Sequence, residues 1–61
     1  MNVDLEEAKR LNGVQDWKMT PSQEKFLLES TNNLLQLHDK EWFSQNQGRL
    51  KEELEIVFKE I

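Results

Sequence analysis

The residues best placed for metal chemistry are His38 and Glu41, which stand at i and i+3 and so share one face of a helix. A stable site takes three or four ligands, and the chain holds no second histidine and no cysteine. A two-fold dimer would double the pair, but on its own it falls short, and His38 reads as a packing or cap-bonding side chain. The adjacent carboxylates Glu6-Glu7 and Glu52-Glu53 are the candidates for acid/base work. Neighbours on a helix diverge by about 100°, so neither pair converges on a substrate, and both read as solvated charge. Serine and threonine have no base beyond the single histidine, and no Gly-x-Ser-x-Gly elbow is present. Gly13 and Gly48 stand alone, so no glycine-rich loop can cradle a phosphate. The expectation is a chain with no catalytic, cofactor-binding or metal-binding residues, and not an enzyme.

The aromatic residues are more informative. Trp17 lies in Val14-Gln15-Asp16-Trp17-Lys18-Met19, between helical segments, and Trp42 and Phe43 are adjacent, so one neighbour can hardly cover both. Tryptophan is enriched at binding hot spots because it brings a large area with few rotors. Val14, Trp17, Met19, Trp42 and Phe43 are therefore the candidate partner-binding residues, with Asp16 and Lys18 as a polar rim. The competing expectation is that Trp17 closes over the core as a lid and Trp42 sits inside.

These side chains must be positioned by very little protein. The chain has 61 residues and 7.3 kDa, with 12 acidic and 8 basic residues and a net charge of −4. Leu, Ile, Val and Phe make up 17 of the 61, above the roughly 20% below which charged chains stay disordered. A fold is expected, but a chain this short hides only about 60% of its surface and cannot also enclose a large active site. The absence of cysteine points to a reducing compartment, and the reading is cytoplasmic. The acidic start Met1-Asn2-Val3-Asp4-Leu5-Glu6-Glu7 is not a signal peptide of the usual type, and no apolar run is long enough to span a bilayer.

Few glycines, one proline and many Leu, Glu, Lys and Gln favour helices. The pattern predicts an all-α single domain, a small bundle of about three helices at residues 3–12, 21–43 and 45–60, with residues 13–20 as a linker. Asn2 is the expected cap of the first helix and Gly13 its left-handed end, with Leu5, Ala8 and Leu11 as the apolar stripe. Thr20-Pro21-Ser22-Gln23 is a capping box with proline at the first helical position. With Phe26 as zero, the apolar positions Leu37, Leu34, Leu27, Trp42, Leu35 and Leu28 sweep an arc of roughly 200° with Leu34 near its middle. Such an arc suits a central helix packed on two sides. Ser30-Thr31-Asn32-Asn33, all poor helix formers, is where a break is expected if one occurs. Ser44 and Gln47 are spaced for a second capping box, leading to a stripe of Leu50, Leu54, Val57, Phe58 and Ile61, with Ile56 off the stripe and Lys51–Glu55 and Glu55–Lys59 spaced to pair. Small scaffolds of this kind gain little net stability from their cores, so completion by self-association, most simply a dimer, is also expected.

The acidic balance opposes binding to nucleic-acid phosphates. Met19-Thr20-Pro21-Ser22-Gln23-Glu24-Lys25-Phe26 resembles the opening of the first helix of phage terminase small subunits, over eight residues. No short second helix, glycine turn and basic reading helix follow, so the family is not carried over. The functional reading is a non-enzymatic helical module that binds a protein partner, as a regulator or inhibitor of phage or bacterial type. The alternative is a structural homo-oligomerisation unit, and a weaker one a nucleic-acid-associated accessory protein. No cofactor and no membrane partner are expected.

Overall fold

The computed structural model of the chain describes residues 2–60 and is all-helical over that span. Four helices follow in order: α1 (Leu5–Leu11), α2 (Pro21–Leu35), α3 (Lys40–Gln45) and α4 (Gln47–Phe58). They fold into a body of 27 × 21 × 18 Å. The expectation of about three helices is corrected to four, because the long second helix ends at Leu35 and not at Phe43.

Each boundary has a local cause. α1 is capped by Asp4, not Asn2: its carboxylate accepts from the Glu7 N–H at 2.9 Å, and its charge suits the positive helix end. Gly13 follows α1 with φ +71°, a conformation that costs glycine little. The Thr20/Gln23 capping box forms in both directions, with Pro21 opening α2. The break after Leu35 is made by a tight turn in which Leu37 N–H and His38 N–H both donate to the Leu34 carbonyl. Asp39 then accepts from the Trp42 N–H at 3.0 Å and starts a new helix. A strong capping residue here competes directly with helix continuation.

The run of poor helix formers, Ser30-Thr31-Asn32-Asn33, stays within α2 without a break. Ser30 Oγ donates back to the Leu27 carbonyl within the helix, while tertiary partners hold Thr31, paired with Asn12, and Asn32, paired with Val3. The Ser44/Gln47 box is also absent. Ser44 lies inside α3, and Asn46 precedes α4 with no side-chain cap bond, donating instead to the Trp42 carbonyl at 2.8 Å. Gln47 reaches across to α1, where its Nε2 donates to the Arg10 and Leu11 carbonyls at 3.2 and 3.3 Å. It satisfies helix-end acceptors that have no partner within α1.

The core gathers Val3, Ala8, Val14, Leu27 and Leu54, with Leu5, Leu11, Trp17, Met19, Leu28, Leu35 and Phe58 packed around them. The wide arc of α2 divides in two. Leu27, Leu28 and Leu35 face this core, whereas Phe26, Ser30 and Leu34 line a cleft of about 140 Å³ against Leu50, Glu53, Leu54 and Val57 of α4. Leu50 and Leu54 are buried and Ile56 is exposed, as the stripe predicts; Ile61 lies outside the described residues. On α4 the ion pair joins Arg49 to Glu53 at 3.5 Å.

Candidate functional site

The linker of residues 12–20 is anchored at its start and open at its end. Val14 is fully buried, and its N–H donates to the Lys9 carbonyl at 2.9 Å. A turn from Val14 to Trp17, closed by a 3.1 Å backbone bond, then swings the Trp17 indole over the end of α4. There it meets the Phe58 ring edge-on, with centroids 6.0 Å apart. Phe26 meets the same Phe58 ring edge-on at 6.1 Å. Such edge contacts place the positive ring edge on the negative face.

Trp17, Met19 and Phe58 are half-buried and form the apolar floor of an open hollow of about 380 Å³. Lys18, Gln23, Glu55 and Lys59 complete its lining. Gln23 is fixed twice, by the capping box and by donating its Nε2 to the Phe58 carbonyl at 3.4 Å. The start of α2 and the end of α4 are thereby tied together under the hollow. Two lysines against one glutamate give this surface a positive balance in a chain whose net charge is −4.

The other aromatic pair is arranged differently. Phe43 is fully buried, and Trp42 packs edge-on against it at 5.3 Å. The outer face of Trp42 is covered by His38, whose ring lies parallel at 4.0 Å with an interplanar angle of 7°. Among the described residues no three His, Cys, Asp or Glu side chains come together as a metal site. Glu52 and Glu53 are both exposed, Glu53 at the edge of the cleft between α2 and α4.

The five expected partner-binding residues therefore separate. Trp17 and Met19 share one half-exposed surface. Val14 and Phe43 are fully buried in the core: a turn after α1 and an added helix boundary fold both inward. Trp42 is half-buried beneath His38. Sequence reasoning missed Phe58 as a member of the Trp17 surface, because the stripe assigns it wholly to the core. It also missed Lys59; Lys18 was visible as a rim residue. Two further apolar side chains stand out on the surface, Leu37 at 78% and Ile56 at 60% exposure. No helix among the described residues is long and apolar enough to cross a membrane.

Comparison of the chain with protein-family models, curated proteins and solved structures returns no match.

Proposed function

We propose that the protein is a non-enzymatic helical module that docks a protein partner on the hollow formed by Trp17, Met19 and Phe58. The observation that supports this reading is the placement of Trp17: half-buried against Phe58, it keeps part of a large rigid ring available beside a flexible methionine and a charged rim. Interfaces are built this way, with an aromatic anchor, adaptable apolar contacts and a polar surround. A volume near 380 Å³ is at the low end for small-ligand pockets, which bury most of their ligand; this hollow is open, and it suits one or two side chains of a larger partner. Action in the cytoplasm is part of the proposal and rests on the cysteine-free sequence.

The test compares the wild-type chain with Trp17→Ala as immobilised baits at matched helicity. A protein retained at fixed ratio by the first and lost by the second supports the reading. No retained protein, or one held equally by both, overturns it. A second reading, structural self-association, is favoured by Leu37 and Ile56, both large apolar side chains largely open to water.

A further inference from the structure

We infer that the cleft between α2 and α4 binds a small, uncharged single-ring molecule that carries one hydrogen-bond donor. Its apolar walls are Phe26 and Leu34 from α2 and Leu50, Leu54 and Val57 from α4. Its volume of about 140 Å³ is close to the roughly 150 Å³ of apolar protein cavities that accept benzene. One ring fits, and a second does not. The cleft includes neither Trp17, Met19 nor Lys59, so this site is independent of docking on the hollow.

Asn12 sets the chemistry of the ligand. It is 3% exposed, and its Nδ2 is committed twice, donating to the Ala8 carbonyl at 2.7 Å and to Thr31 Oγ1 at 2.9 Å. The Ala8 carbonyl can only accept, which fixes the orientation of the amide. Oδ1 is left as an acceptor without a hydrogen-bond partner among the described residues. No fully buried side-chain nitrogen or oxygen among those residues lacks a partner, so Oδ1 reaches open space, and the cleft is a cavity that Asn12 lines. The other polar side chains at the cleft offer acceptors too. Ser30 gives its hydroxyl proton to the Leu27 carbonyl at 3.2 Å and keeps its lone pairs, and Glu53 stands at the edge, 3.5 Å from Arg49. A carboxylate or phosphate would bring acceptors to acceptors, and the apolar walls oppose any ion. Water could donate to Oδ1, but it needs two to four polar partners and would face five apolar side chains. A ring with one hydroxyl covers those walls and makes the same bond.

Titration of the full chain with phenol and with toluene, followed by two-dimensional NMR, tests this. Phenol should bind with a dissociation constant of about 1 mM, as suits seven non-hydrogen atoms. Its shifts should centre on the Asn12 side-chain amide and the Leu54 and Val57 methyl groups. Toluene has the same shape and no donor. It is the less water-soluble ring, so apolar transfer alone would make it the tighter ligand. The expected order is the reverse, with phenol at least about threefold tighter, because toluene leaves Oδ1 unpaired. Val57→Phe should fill the cleft and abolish binding, and Leu34→Phe does the same from the α2 side if the first variant does not fold. Trp17→Ala should leave phenol binding unchanged. No shift up to about 20 mM phenol overturns the inference. Toluene binding as tightly as phenol overturns it as well, as do shifts confined to Trp17 and Met19, or binding that a folded, cleft-filled variant retains.

Discussion

Asn32 binds Val3 like a strand neighbour: its Oδ1 accepts from the Val3 N–H at 2.8 Å, and its Nδ2 donates to the Val3 carbonyl at 3.4 Å. One side chain on α2 thereby satisfies both backbone groups of a residue 29 positions earlier, just before α1 begins. Val3 is itself buried, so these groups would otherwise be short of partners. The clamp fixes how the N-terminal segment lies on α2. It also shows why a residue that weakens an isolated helix is kept in the middle of this one.

Asn32→Ala should accordingly cost about 1–2 kcal/mol, from two net hydrogen bonds and a poorly solvated donor left behind. The specific readout is amide hydrogen exchange at Val3, which should accelerate more than exchange at Leu27 in the core. Equal acceleration at both sites would mean that the clamp is not the element holding this segment.

Gly13 and Gln47 form the second long-range fastening. A Cβ placed on Gly13 would lie 2.8 Å from Gln47 Cγ, and φ there is +71°. Gly13→Ala should destabilise by about 1 kcal/mol or more, combining backbone strain with displacement of the Gln47 cap from the α1 carbonyls. In a Gln47→Ala background the same substitution should cost less, because the clash is gone and only the strain remains. A thermal or urea double-mutant cycle measures the difference. Strict additivity would show that Gln47 yields freely.

Two helix boundaries marked by chain-local chemistry are legible in the sequence. Thr20-Pro21-Ser22-Gln23 carries its capping instructions within four residues, and Gly13 ends α1 for reasons internal to glycine. Part of what was not legible depended on residues distant in the chain. Ser30-Thr31-Asn32-Asn33 reads as a weak point until Asn12 and Val3 are seen to pair with it. The Asp39 cap, although local, is obscured by an apolar period that runs on to Trp42 and Phe43. The site was legible to the extent of Trp17, Met19 and Lys18; Phe58 and Lys59 join it only through tertiary folding.

The same division fixes what α2 will tolerate. Periodicity puts Leu34 at the middle of the apolar arc, but Leu27 is the fully buried residue, while Leu34 lines the cleft towards α4 and is only half-buried. Leu27→Ala should cost about 2–5 kcal/mol. In a domain of this size that lowers the melting temperature by at least about 8 °C and threatens the fold altogether. Leu34→Ala should cost less than half as much, and Glu53→Ala, at an exposed position, should be nearly silent. Chemical denaturation of the three variants ranks them. Leu34 proving the costlier leucine would indicate that the cleft is closed in solution.

Trp17 is both packing and candidate anchor, so its substitution should change two observables that can be separated. Its ring touches Phe58 at the edge and covers part of the core, and truncation removes that cover. Trp17→Ala should therefore lower stability by about 1–3 kcal/mol, less than a fully buried aromatic because part of the ring already faces water. If the ring also anchors a partner, affinity measured for the folded protein should fall by about 2 kcal/mol or more, roughly thirtyfold. Trp17→Phe resolves the two roles. A phenyl ring can keep the edge contact to Phe58 and restore most of the stability, but it lacks the indole N–H and much of the outward area. Stability near wild type with affinity still reduced would mark Trp17 as an anchor. Full recovery of both would show that packing against Phe58 is its whole contribution, and the docking surface would then have to be sought around Ile56 or Leu37.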